Sequence, residues 1–317
     1  MDKTILKKYA KLAVEIGTNV QPGQTLVINA PVEAAEFARH CVEAAYEAKA
    51  GYVYVRWNDD QTSKLSYLHA DIDRFKRVDP WIVSQYQTFV DENACALSIY
   101  APSPGLLAQV DPSRVQQVQI EFQKAIQFYR EYMMANKAQW SLVSVPTAVW
   151  ASKVFPEKSE EEAIAALWQA ILSAVRVSQD NDPVQEWKTH NQTLERINRK
   201  LNEYQFDHLH FTNSLGTDLK VGLVKNHRWA GGKETAQNGA VFNPNIPTEE
   251  TFTMPDRLQT EGVVVATKPL NYQGRLIEDF ELTFKEGKVV DFKAKKEEQA
   301  LKNLLDTDEG SRYLGEV

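Results

Sequence analysis

Thr25-Leu26-Val27-Ile28-Asn29-Ala30 and, after Pro31 and a helical run, Tyr52-Val53-Tyr54-Val55-Arg56-Trp57 form the stretch that decides the fold. The first hexapeptide is almost continuously apolar and follows the turn formers Gln21-Pro22-Gly23, the pattern of a strand covered on both faces. From Pro31, Ala34, Phe37, Cys41, Ala44 and Ala45 recur at helical spacing to about Lys49, and Gly51 ends the run. Strand, helix and strand in that order make a βαβ unit, which requires parallel strands and a right-handed crossover.

Reading outward, residues 2–17 form an amphipathic helix with Ile5, Leu6, Tyr9, Leu12, Ala13 and Ile16 on one face and four lysines largely elsewhere. No continuous apolar core follows the lysines, so this is a surface helix rather than a signal peptide. Further strands are expected at 95–101 and 141–145, with helices at 80–90 and 112–137. Ser159 and Glu162 have capping-box spacing and open a helix to about 178. Asp182-Pro183 supplies the N-cap and first position of another, running to about 203.

The second half changes character. Short strand-like runs at 206–213, 219–224, 262–267, 276–285 and 288–294 are separated by Gly, Asn and Pro, and a helix follows near 296–306. Phe280-Glu281-Leu282-Thr283-Phe284 alternates strictly, and Glu286-Gly287 turns it into Lys288-Val289-Val290, a hairpin. The expected fold is an α/β domain with parallel βαβ units over 1–181. A bridging helix and a mainly antiparallel α+β domain occupy 182–317.

The 317 residues are 43% hydrophobic and 25% charged, enough apolar material for two cores and too little charge for disorder. A net charge of −7 argues against nucleic acid, which needs a clustered basic face. Apolar runs such as Gly262-Val263-Val264-Val265-Ala266 are too short to span a bilayer, so no membrane is expected. Cys41 and Cys95, widely separated, provide neither a disulfide framework nor a four-thiolate site and read as reduced core thiols of a cytoplasmic protein.

Ile28-Asn29-Ala30-Pro31-Val32-Glu33 contains no glycine, so the first strand lacks the dinucleotide fingerprint, and no Walker A, HExxH or GxSxG motif occurs. His40, His69 and His190 fall on helix patterns. His208 and His210, two apart on a strand, could share a metal but read more simply as a polar strand face; His227 carries no assignment. Glu249 and Glu250 follow a Pro-bounded turn, where alternation would point them to opposite faces. Taken alone they are a solvated loop, and Glu316 is a lone acid between small and apolar neighbours.

Several stretches occur in one order: Gly17-Thr18-Asn19-Val20-Gln21-Pro22-Gly23-Gln24, Gly216-Thr217-Asp218-Leu219, Trp229-Ala230-Gly231-Gly232 and Asn245-Ile246-Pro247-Thr248-Glu249-Glu250. Thr267-Lys268-Pro269-Leu270, Gly274-Arg275-Leu276-Ile277-Glu278 and Asp308-Glu309-Gly310-Ser311-Arg312-Tyr313-Leu314-Gly315-Glu316-Val317 follow. Together they resemble the thermophilic-type metalloaminopeptidases, the family of aminopeptidases T, S and PepS (M29), across essentially the whole chain. The resemblance implies an aminopeptidase acting on peptides, usually a homodimer, with two divalent metal ions (zinc, cobalt or magnesium). It implies Glu250 and Glu316 as metal ligands, Glu316 bridging and Glu250 terminal. The family's other ligands, histidines, an aspartate and a tyrosine, belong to a further C-terminal stretch, so the site is expected to be incomplete here. Catalytic and substrate-binding residues are left unassigned.

Two dications 3.5–4 Å apart repel by about 17–19 kcal/mol at an effective dielectric of 20. Two carboxylates offset only half of four positive charges, so the isolated chain is expected to bind metal weakly and to be inactive. The rival readings are a non-catalytic two-domain scaffold or dimerisation protein and a metal-free α/β enzyme, the latter disfavoured by the missing glycines.

Overall fold

A computed structural model describes residues 2–272 and 275–317; Gly274 of the fifth second-half motif lies outside them. The chain divides into two compact units. The first comprises residues 1–192 and 232–248, the second 193–231 and 249–317.

In the first unit, α1 (Lys3–Leu12) is capped by Asp2, whose carboxylate accepts from Thr4 N–H at 2.7 Å, and continues into a π-helical turn, Ala13–Thr18. Then follow β1 (Thr25–Pro31), α2 (Ala35–Glu47), β2 (Tyr52–Asn58), α3 (Asp60–His69), α4 (Pro80–Asp91) and β3 (Cys95–Tyr100). After these come α5 (Pro112–Ala125), α6 (Gln127–Met134), β4 (Trp140–Ser144), α7 (Ala148–Val154) and α8 (Glu160–Ala174). The four strands form one parallel sheet in the order β2-β1-β3-β4. Central β1 buries Leu26, Val27, Ile28 and Ala30, whereas edge strand β2 leaves most of its side chains partly or fully exposed. That difference is why the first strand reads as an unbroken apolar run.

The expected capping box is present, with Ser159 and Glu162 satisfying each other's backbone. Asp182 accepts from Val184 N–H at 3.0 Å and opens α9 (Pro183–Tyr204), whose residues are shared between the units. The single helix expected over 112–137 is two, because the chain turns at Ile126. Its buried side chain joins Val27, Tyr86 and Phe89 in an aromatic cluster.

The 232–248 segment carries the two-stranded ribbon β7 (Glu234–Thr235) and β8 (Val241–Phe242) and is tied to the first unit by polar bonds. The buried Asn243 and Asn191 side chains exchange two amide bonds at 2.8 and 2.9 Å. Ser141 Oγ donates to Asn243 O at 2.8 Å, and Ile246 enters the apolar core.

The second unit is antiparallel: β5 (His208–Thr212), β6 (Asp218–Leu223), β9 (Pro255–Val265), β10 (Leu270–Tyr272), β11 (Arg275–Lys285) and β12 (Lys288–Lys296), closed by α10 (Glu298–Leu305). The strand expected from Gly262 begins at Pro255: Glu261, Thr260 and Pro255 pair with β6 across a register shift, and 256–261 has no apolar alternation to announce it. The Glu286-Gly287 hairpin forms as expected. At Gly287, φ is +80° and a Cβ would lie 1.8 Å from Arg257 O, so only glycine fits. Leu219, Val221, Ile277, Phe284, Val289, Ala300, Leu301 and Leu305 form this unit's core. Among the described residues no helix is long and apolar enough to cross a membrane.

Candidate metal centre

Glu250 stands in an irregular segment of the second unit, not in a strand, so the expected alternation with Glu249 does not operate; both are exposed. Two residues on, Phe252 and Ala230 exchange backbone hydrogen bonds of 2.9 Å each, an isolated antiparallel bridge. The chain carrying Ala230 is held from α9. Asn202 accepts from Trp229 N–H at 2.8 Å and donates to Trp229 O at 3.0 Å, and Asn198 donates to Gly231 O at 3.0 Å. Asn198 and Asn202 are four apart, so one helix face supplies both supports. Gly231 has φ +136°, and a Cβ there would sit 2.3 Å from Glu250 O. The backbone beneath Glu250 is thus seated on a position only glycine can occupy.

Glu316 reaches the same unit through a chain fixed at several points. Asp308 accepts from Gly310 N–H at 2.8 Å and Ser311 N–H at 2.9 Å, which turns the chain, and these bonds with that of Ser311 Oγ hold its carboxyl below the usual range. Arg312 pairs with Asp306 at 2.6 Å and donates to Val289 O at 3.0 Å, and Tyr313 bridges Lys288. Leu314 and Val317 pack on the second core, leaving Glu316 exposed between them. Val317 donates to Thr253 O at 3.1 Å and accepts from Thr253 N–H at 2.8 Å. Mutual exchange of this kind is an antiparallel pair, which lays the two glutamate-bearing segments side by side.

Among the described residues neither Glu250 nor Glu316 has a hydrogen bond or ion pair, so both carboxylates are uncommitted oxygen donors suited to a dication. No group of three or more His, Cys, Asp or Glu converges among the described residues. The donors therefore fit a divalent metal in kind but do not by themselves fill two coordination shells.

The histidines lie elsewhere. His210 Nε2 faces Asp218 Oδ1 at 2.7 Å on the exposed β5–β6 ladder, and His190 Nε2 lies 2.8 Å from Thr248 O. His40 pairs with Glu43 at 3.2 Å. His227 is buried, with Nδ1 3.1 Å from Val224 O. Sequence reasoning missed Asn198 and Asn202 as supports, because two asparagines on a long polar helix carry no signal until the chain they bind is known.

Residues 2–317 match the family described as Thermophilic metalloprotease (M29). The chain is 46% identical over 312 residues to Aminopeptidase 2 of Geobacillus stearothermophilus, covering 98% of this chain and 75% of that protein. It is 44% identical to Aminopeptidase AmpS of Bacillus subtilis (strain 168), covering 98% and 76%. The solved structure of wild-type AmpT from Thermus thermophilus superposes with a TM-score of 0.93 at 36% identity, covering 99% of this chain and 77% of that one. A match along the whole described chain, in sequence and in fold, places this protein in the M29 family of thermophilic metalloproteases.

Proposed function

We propose that this chain is an aminopeptidase scaffold that removes N-terminal residues from peptides with a pair of divalent metals, Glu316 bridging them and Glu250 a terminal ligand of one. The observation that carries the reading is the family match over residues 2–317, with relatives named as aminopeptidases. Two uncommitted carboxylates on paired segments of one unit support it. When bound, the metals lower the pKa of water and polarise the scissile carbonyl. The chain's own contribution is orientation: the Thr253–Val317 pair and the Ala230–Phe252 bridge fix the backbones from which the two carboxylates project.

Two negative charges against four positive ones leave the metal pair under-compensated, so residues 1–317 alone are expected to bind it weakly and turn over little. The same reading includes a homodimer in the cytoplasm. Two buried, unpaired thiols, Cys41 and Cys95, whose ionisation burial suppresses, accord with a reducing compartment.

Calorimetric titration with cobalt and zinc, alongside hydrolysis of an aminoacyl-anilide, tests the reading. Weak binding that is lost in both Glu250→Gln and Glu316→Gln supports it. Binding unchanged in both variants removes the ligand assignment, and absence of binding and hydrolysis at saturating metal favours a non-catalytic scaffold.

A further inference from the structure

The parallel sheet of the first unit has the strand order β2-β1-β3-β4, so the chain leaves β1 toward one edge and returns on its other side. Such a reversal opens a crevice at the carboxyl ends of the strands, the usual place for a ligand in an open α/β sheet. Near those ends Asn29 is in register with Arg56 on β2 and with Ser98 on β3. Residues in register on neighbouring strands share a face, so Arg56, Asn29 and Ser98 stand in one polar row across the reversal.

Arg56 is the unusual member. Its Nη1 donates to Asn29 Oδ1 at 3.0 Å and to Tyr86 Oη at 2.7 Å, and its guanidinium carbon lies 4.6 Å from the Tyr86 ring centre. The group is partly buried and held from two sides, yet no carboxylate of a described residue pairs with it. The nearby Tyr129 does not compensate it, since burial keeps that phenol protonated. A partly desolvated cation that meets only neutral acceptors is costly unless an anion completes it. Its remaining N–H groups keep the forked geometry that matches a carboxylate or phosphate. Ser98, partly buried, has a hydroxyl without a hydrogen bond among the described residues and is available as a further donor.

We propose that Arg56, oriented by Asn29 and Tyr86 and flanked by Ser98, is the anchor of a binding site for a small oxyanion, a carboxylate or phosphate group, at the carboxyl ends of the parallel strands. The site belongs to the first unit alone and is independent of the metal reading.

Calorimetric titration of the intact chain with inorganic phosphate and with acetate, at low ionic strength, tests it. The wild-type chain is expected to bind at least one of the two, and Arg56→Met to weaken that binding about tenfold or more. Arg56→Lys, which keeps the charge and loses the fork, is expected to fall between them and serves as the readout if Arg56→Met does not fold. No binding of either anion by the wild-type chain, or binding unchanged in the folded variants, overturns the proposal.

Discussion

Thr253 and Val317 stand 64 positions apart in the chain yet exchange both of their backbone hydrogen bonds, at 2.8 and 3.1 Å. That pair is what sets the segment of Glu316 beside the segment of Glu250. Its consequence is local: the Val317 backbone is held on the segment that follows Glu250, within the second unit.

If both carboxylates serve one metal site, Glu250→Gln and Glu316→Gln should not have additive effects on cobalt affinity. The double variant is expected to bind no more weakly than the worse single one, within about a factor of two, because residues that share a partner couple. Both positions are exposed, so each change should leave urea stability within about 0.5 kcal/mol of the parent. Calorimetry and urea melts read the two effects separately.

Gly231→Ala should be far more damaging than its single methyl suggests. The backbone there has φ +136°, and the new Cβ would lie 2.3 Å from Glu250 O and 3.1 Å from Thr251 Cα. Strain of about 1–3 kcal/mol is expected from the conformation alone. Relief requires the Glu250 backbone to move, so metal affinity should fall with stability, as urea melts and cobalt titration of the same preparation would show.

Asn191 and Asn243 should behave as a unit. Each is buried, and each donates to the other. Asn191→Ala leaves Asn243 with unpaired amide groups and is expected to cost about 1–3 kcal/mol. A double-mutant cycle with Asn243→Ala should return a coupling of about 0.5–3 kcal/mol. Additive losses in urea melts would show that the pair does not tie the 232–248 segment down.

The alkaline limb of stability should depend on Tyr129. Burial pushes its phenol up from 10.0 to about 12, Tyr86 adding to the rise and Arg56 opposing it. A folded pKa above the unfolded one gives stability that is fully present below pH 10 and is lost as pH rises toward 12. The amount is about 2–3 kcal/mol at most. Tyr129→Phe should flatten that decline while leaving the acid limb unchanged, which denaturant melts across the alkaline range would measure.

Elements whose chemistry is local were legible in the residues alone. The apolar run 25–30, the glycine at 51, the Ser159–Glu162 box and the Glu286-Gly287 turn each specify structure within a few residues, and each formed as read. Motifs in a fixed order were enough to indicate the family. Glu250 and Glu316 were singled out through that order and not through any chemistry visible at either residue, since an exposed glutamate in a loop has no local signature. Elements whose reasons are non-local were missed or misjudged: the break at Ile126, the polar strand 256–261, and the return of 232–248 to the first unit. Folding in three dimensions set Thr253 against Val317, held Trp229 and Gly231 on Asn202 and Asn198, and left Arg56 without a carboxylate partner among the described residues. The physical reason is that propensity and pattern act over a turn or a strand. Hydrogen-bond pairing, charge compensation and close backbone approach depend on which distant segments meet.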